Sequence, residues 1–394
     1  MSWQWLNTTR VIFGQNGVVE HMKDFVKPHT KVLVTFGGGS IDKNGARDDV
    51  TKALSALECE VRWEGGIPAN PEFDRLVEIV KVAREFKPDL LLAVGGGSVV
   101  DGTKFISLAM NIEDGTDMWD MVKLWKHPSK ATPIGTVMTI PATGSEWNNG
   151  AVISRRSTKE KLPLINNLLY PSFSILDPRY TMTLPKRQLR NGLYDAMTHC
   201  IDLVITPHVL PMQDNFLYCV MKELVDISSD VMSDDRSTIE VRGRLVQACS
   251  FALNYVLQLG KVTCCGIHGI AHMLTAKWGI DHASTLSIVT PFFLEEFIES
   301  RKYTMARAAE FVFGVREGDD YTKAKEFIKH IREWIVRIGQ FTKVTDQPGV
   351  VLQPGDVDEV TNMVMDSFNG NNFGYMNTIT RENVHHILDR AFNQ

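Results

Sequence analysis

Two short apolar runs in the first half of the chain stop at the same four residues. Lys31-Val-Leu-Val-Thr-Phe36 leads into Gly37-Gly-Gly-Ser40, and Asp89-Leu-Leu-Leu-Ala-Val94 leads into Gly95-Gly-Gly-Ser98. Continuous apolar runs of this length suit strands buried on both faces, as in a parallel sheet. Between them a helical pattern over Phe73 to Phe86 puts Leu76, Ile79, Val80 and Ala83 on one face. Strand, helix, strand is a βαβ unit, and its ligand edge lies at the strand C-termini. A third run, Ile134-Gly-Thr-Val-Met-Thr-Ile140, ends in the small-residue turn Pro141-Ala-Thr-Gly-Ser145. Three turns on one sheet edge are therefore expected.

After about Pro185 the pattern changes. Amphipathic stretches dominate at 188–204, 211–229, 238–260, 302–313, 321–338 and 357–365, and strand-like runs become rare. A chain of 394 residues is too long for one ordinary core. We expect an α/β N-terminal domain over residues 1–185 and an all-α C-terminal domain over 186–394. A net charge of −5 and a pI near 6.1 argue against a nucleic-acid footprint, which needs a basic patch. The six cysteines show no disulfide-framework spacing, so a reducing compartment is the simpler reading. The polar start up to Arg10, with its two tryptophans, does not read as a signal peptide, and no stretch is apolar enough to span a bilayer. A soluble cytoplasmic protein is expected.

Each glycine turn has two readings. In one, glycine merely permits the left-handed backbone of a tight turn. In the other, it lets backbone N–H groups approach a pyrophosphate at the positive end of the following helix. Gly95-Gly-Gly-Ser98-Val-Val-Asp101-Gly-Thr-Lys104 leads directly into a helix pattern and favours the second. It is not the G-x-G-x-x-G fingerprint, so an ordinary Rossmann domain is not implied.

The helical half carries a sharper signal. Asp195 and His199 stand at i and i+4, His268 and His272 repeat that spacing, and His282 follows. Such pairs share a helix face. A carboxylate and several imidazoles together suit a borderline divalent ion such as Zn²⁺ or Fe²⁺. One Asp/His pair alone is usually a surface hydrogen bond, and a lone buried histidine is usually satisfied by a neighbour. Five such residues in one helical half shift the balance to a metal. The other histidines lack such companions and read as surface or packing residues. Trp147, Met197 and Trp278 are candidates to narrow a substrate pocket, although packing is the commoner fate and Met197 reads as core.

These residues resemble the iron-containing (group III) alcohol dehydrogenase family, in particular its butanol dehydrogenase and NADPH-dependent aldehyde reductase branch. The resemblance runs from Arg10-Val-Ile-Phe-Gly14 to the C-terminal helices. Its most specific pieces are Gly95 to Lys104, Pro141-Ala-Thr-Gly-Ser-Glu146, the Asp195/His199 pair, and His268 to Ala283. The resemblance implies a dinucleotide-binding α/β domain and a helical domain like that of dehydroquinate synthase. It implies Asp195, His199, His268 and His282 as metal ligands. His272, one turn after His268 and near the expected nicotinamide, would be catalytic as a proton relay. Gly38, Ser40, Asn70, Gly96, Gly97, Ser98, Thr139, Thr143 and Lys161 would bind the cofactor.

NAD-preferring relatives tend to carry an acidic side chain in the first turn, which bonds the ribose hydroxyls and repels a 2′-phosphate. Here Gly37 to Ser40 has no charge, a hydroxyl donor and Lys43 nearby, which resembles the NADP(H)-using branch. Asp42 departs from a clean cationic pocket and leaves NAD open. The reaction implied is hydride transfer between NADP(H) and a small alcohol or aldehyde, with one divalent ion as Lewis acid and the proton moving through water. Many relatives are dimers, and Arg10 to Gly14 offers an edge strand for a homodimer. The rivals are a glycerol dehydrogenase-like polyol oxidoreductase, a dehydroquinate synthase, and a non-catalytic binder on the same fold. A synthase would want clustered Lys and Arg between Asp195 and His282, where basic residues are few and scattered.

Overall fold

The computed structural model describes residues 3–113 and 115–393. The chain divides into two compact units. One is Leu6–Pro185 together with Ser237–Ser250, and the other holds the remaining described residues.

The first unit is built on a six-stranded, wholly parallel sheet. Its strands are β1 (Arg10–Phe13), β2 (Lys31–Phe36), β3 (Glu60–Glu64), β4 (Leu90–Gly96), β5 (Ile134–Ile140) and β8 (Phe173–Leu176), in the order β1-β8-β5-β4-β2-β3. The remaining strands, β6 (Gly150–Arg155) and β7 (Glu160–Ile165), form an antiparallel hairpin. Helices α1 (Ala46–Ala56), α2 (Phe73–Phe86) and α3 (Gly97–Ala109) connect and cover the sheet.

The two apolar runs lie on adjacent strands, with Val32 opposite Leu90 and Phe36 opposite Val94. Leu33, Leu91 and Ala93 face the core that contains Leu76, Ile79, Val80 and Ala83 of α2. Val32, Val34, Leu92 and Val94 face the opposite core, with Val50 and Leu54 of α1. Both faces are buried, so the runs are continuous rather than alternating. Because all six strands are parallel, the turns after β2, β4 and β5 leave one sheet edge, as expected.

The sequence reading did not resolve β3, β8 or the hairpin. Strand β8 is four residues long and is held only by long-range pairing to β1 and β5. The stretch 238–260, expected as one helix, is helical only over Ile239–Ala252. Beyond it the Asn254 side chain accepts the Val256 N–H at 3.0 Å and Tyr255 adopts φ 68°, a local side-chain bond competing with the helix. This helix, α6, carries a segment of the second half into the first unit. Val246 packs against Met138 and Leu176, and Arg242 donates to the Thr181 carbonyl at 2.9 Å.

The second unit is helical. Its main elements are α4 (Lys186–Val204), α5 (Pro211–Val231), α7 (Gly266–Trp278), α8 (His282–Glu296), α9 (Ile298–Phe313), α10 (Asp320–Arg337), α11 (Asp356–Ser367) and α12 (Arg381–Phe392). Buried Trp334 of α10 stacks on Tyr194 of α4 at 5.9 Å and donates its indole N–H to Ser228 Oγ of α5 at 3.0 Å. That contact orients α4 along the stretch that carries the candidate ligands.

In the sheet, Gly135 lies opposite Phe173, and a Cβ on Gly135 would come within 2.3 Å of that ring. The ring is buried and stacked on Phe25 at 4.7 Å, so it has little room to retreat. Gly135→Ala is therefore expected to cost about 1–3 kcal/mol of stability by overpacking. Denaturant unfolding checks this, and a change within error would mean that the Phe173 ring moves aside freely.

Candidate active site

Helix α4 presents Asp195 and His199 one turn apart, both buried at 4% and 8% exposure. Helix α7 supplies His268 and His272, and His282 opens α8. The structure gathers these residues around one atom. The Nε2 atoms of His199, His268 and His282 lie 3.6, 3.8 and 3.6 Å from Asp195 Oδ1. Asp195, His268 and His282 place one donor atom each within 4.8 Å of one another. The rings of His199 and His268 stack at 4.7 Å, nearly parallel. His272 stands beside the group, 5.0 Å from His282 and 6.2 Å from His268 by ring centroids.

Separations of 3.6–3.8 Å are too long for hydrogen bonds. They suit donors that share an ion, since bonds of about 2.0–2.2 Å set tetrahedral ligands roughly 3.4 Å apart. The buried Nε2 of His268 has no hydrogen-bond partner, whereas its Nδ1–H donates to Asp202 Oδ2 at 2.7 Å. A buried nitrogen left this way calls for an explanation, and a cation supplies one. One carboxylate and three imidazoles fit Zn²⁺ or Fe²⁺. The electrostatics differ sharply within the group. Burial pushes His199 down to about 4, while Asp195 and Asp202 outweigh burial at His268 and hold it up at about 9.

The first unit supplies a second constellation. None of Gly95, Gly96 and Gly97 has a positive φ, and neither has any glycine of the first turn. The left-handed reading of both turns therefore does not hold. The second turn needs glycine for space. A Cβ on Gly95 would strike Val99 at 2.6 Å, on Gly96 Ile140 at 2.9 Å, and on Gly97 Thr143 Oγ1 at 2.3 Å. The turn packs so tightly that strand β4 passes into α3 without a loop.

Hydrogen bonds link several of the expected cofactor residues. Ser98 Oγ accepts the Asn70 N–H at 3.2 Å, and Lys161 Nζ donates to Asn70 Oδ1 at 2.9 Å. Thr143 Oγ1 accepts the Ser145 N–H at 3.1 Å, and Thr139 is buried one residue from the end of β5. Gly38 and Ser40 lie apart from this chain of bonds, exposed at the end of the neighbouring strand β2, with open space at Gly38. Met197 is fully buried, as expected of core. Trp278 packs edge-on against Phe392 at 5.6 Å.

Three polar residues with roles here were not singled out from the sequence. Lys104, fully buried, donates to Ser145 O, Ser145 Oγ, Asn148 O, Asn148 Oδ1 and Gly150 O at 2.7–3.1 Å. Asp101 accepts from Ser145 Oγ at 2.6 Å and from the Val152 N–H at 2.9 Å. Burial presses Lys104 down to about 7 and raises Asp101. Together they bind α3 to the turn that follows β5. An Asp/Lys pair at i and i+3 in an otherwise uncharged helix was the available signal. The third residue is Asp202.

Comparison with known proteins agrees with this geometry. The iron-containing alcohol dehydrogenase model matches residues 8–178, and the C-terminal model of the same family matches residues 191–392. The chain belongs to the iron-containing alcohol dehydrogenase family. Among its relatives in that family, the NADPH-dependent aldehyde reductase YqhD of Escherichia coli is 37% identical over 86% of this chain and 87% of its own. The NADH-dependent butanol dehydrogenase A of Clostridium acetobutylicum is 32% identical over 88% of this chain and 89% of its own. The crystal structure of E. coli YqhD superposes with a TM-score of 0.94, at 33% identity over 99% of this chain and 98% of that one.

Removing Asp195 takes away the oxygen on which the imidazoles converge. Asp195→Ala is expected to weaken Zn²⁺ or Fe²⁺ binding by at least about 100-fold, more than is usual for outer residues. Metal content after dialysis against a weak chelator measures it. Full retention of metal would remove Asp195 from the ligand set.

Proposed function

We propose that this chain is a metal-dependent alcohol dehydrogenase or aldehyde reductase that moves hydride between NADP(H) and a short aldehyde/alcohol pair. The observation that carries the reading is the convergence of three imidazole nitrogens on one carboxylate oxygen, 3.6–3.8 Å away. Asp195, His199, His268 and His282 would hold a single Fe²⁺ or Zn²⁺. When bound, the ion supplies Lewis acidity toward a carbonyl oxygen, and the reduced nicotinamide supplies the hydride.

The remaining work falls to the chain's own residues. Gly96, Gly97 and Ser98, at the N-terminus of α3, offer backbone N–H groups and the helix dipole to a pyrophosphate. Asn70, Thr139, Thr143 and Lys161 line the same turn region, and Lys161 adds a positive charge. Gly38 and Ser40 leave uncharged room for a 2′-phosphate. His272 stands one helical turn from His268, where its imidazole can hold a proton and exchange it with water. Aldehyde, NADPH and one proton then balance to alcohol and NADP⁺. No disulfide joins any of the six cysteines, in keeping with a reducing cytoplasm. We further propose a homodimer, with β1 at the sheet edge as the surface available for pairing. No described helix is long and apolar enough to cross a membrane.

The test is the rate of NADPH oxidation with butanal, using protein stripped of metal and then reloaded with Zn²⁺ or Fe²⁺. Activity should vanish on stripping and return with one of the two ions. No aldehyde-dependent rate with either ion, despite measured metal binding, would overturn the reading. In the active form, His272→Ala is expected to lower kcat by about 100-fold with metal content unchanged. An unchanged kcat would exclude His272 from proton transfer.

A further inference from the structure

Asp202 lies seven residues after Asp195 on α4, so Asp195, His199 and Asp202 share one helix face at i, i+4 and i+7. It is 2% exposed, and both of its oxygens point at the start of α7. Oδ1 accepts the Ile267 N–H at 3.2 Å, and Oδ2 accepts the His268 N–H at 3.2 Å and the His268 Nδ1–H at 2.7 Å. Its own carbonyl accepts the Cys264 N–H at 3.2 Å.

The first N–H groups of a helix have no partner within it. Cys265, at the N-cap of α7, makes no side-chain capping bond. Asp202 performs that capping from another helix, and its charge also complements the positive end of α7. The same carboxylate therefore sets where the first turn of α7 begins, how its His268 ring is rotated, and which ring nitrogen carries the proton. With Nδ1–H committed to Asp202, Nε2 is the ring nitrogen left facing Asp195 Oδ1, 3.8 Å away, and the one that would give its lone pair to an ion on losing its proton. His199 lacks such support, because its buried Nδ1 has no hydrogen-bond partner.

We propose that Asp202 is the positioning residue of the metal centre. It fixes His268 as an Nε2 donor and couples that fixed ring to the N-terminus of α7, so that it sets metal affinity without touching the ion. The inference rests on the metal-centre reading above. Carboxylates behind ligating imidazoles act this way in general, by fixing the tautomer and raising ligand basicity.

The experiment measures Zn²⁺ affinity of the full-length chain by competition with a chromophoric chelator, for wild type and for Asp202→Asn. The variant keeps the side-chain volume but loses the charge and one acceptor. Its dissociation constant is expected to rise about 10–100-fold. The visible spectrum of the Co²⁺-loaded variant should shift from that of wild type, reporting a displaced donor. Wild type that binds no Zn²⁺ would defeat the metal-centre reading itself. Wild type that binds Zn²⁺ while Asp202→Asn binds equally well would overturn the role of Asp202 alone. A variant that loses only thermal stability of the metal-free form, with affinity unchanged, would reduce Asp202 to a helix cap. Should Asp202→Asn not fold, long-range ¹H–¹⁵N correlation on Zn²⁺-loaded wild type answers the same question. A His268 ring protonated at Nδ1 supports the proposal, and one protonated at Nε2 overturns it.

Discussion

A carboxylate taken from water is stable only beside donors or positive charge, and Asp195 is 4% exposed. What surrounds it is three imidazoles from three helices. The packing of α4, α7 and α8 brings those rings to one oxygen. In the bare chain the need for charge is met unevenly. His268 is held up at about 9 by the carboxylates of Asp195 and Asp202, while burial keeps His199 near 4. Adjacent stacked imidazoles cannot both carry a proton cheaply at this separation. On the proposed function, a divalent ion would answer the same demand, replacing one proton on one ring by charge shared among the residues that would hold it.

The sheet unit solves a related problem with the opposite sign. The carbonyls of Ser145 and Asn148, in the turn after β5, and of Gly150, at the start of β6, converge on one side chain. Lys104 enters from α3 and gathers all three carbonyls on one ammonium. Asp101 balances that charge and takes the Val152 N–H at the start of the hairpin. Because Gly97 abuts Thr143 at the same place, the helix that begins at the second glycine turn and the loop after β5 form one rigid piece. A turn of bare glycines would be floppy alone. Here its rigidity comes from buried polar groups one helical turn deeper in α3.

Much of this was legible in the sequence, and the gaps have physical causes. Strands β2, β4 and β5 announce themselves because both faces are buried, which writes an uninterrupted apolar run into the chain. The Asp195/His199 and His268/His272 pairs are visible because helix geometry makes i and i+4 neighbours. The short strand β8 and the place of Ser237–Ser250 in the first unit depend on contacts between distant segments, which leave no local period. Asp202 was passed over for the same reason. On α4 it reads as one more acidic residue, and only the approach of α7 turns it into the partner of His268. The glycine turns do not use the left-handed backbone that glycine permits: in the second turn, side chains from α3, β5 and the following loop exclude a Cβ, while the first turn has open space at Gly38.

The first turn shows how a residue's meaning changes once its partner is known. Asp42 follows Ser40 by two residues and, taken alone, would repel a 2′-phosphate. In the fold its carboxylate is bonded by Arg47, whose guanidinium also lies over the Phe36 and Trp63 rings at 4.6 and 4.4 Å. The acid is therefore neutralised by a cation that is itself anchored on two aromatic faces. What remains at the turn is the open backbone of Gly38, the Ser40 hydroxyl and Lys43. That balance is compatible with an added phosphate, and it is set by a residue five positions away from the acid it cancels. Cofactor choice at such a turn depends on the charge left after pairing, and the acidic residue in the sequence does not report that charge.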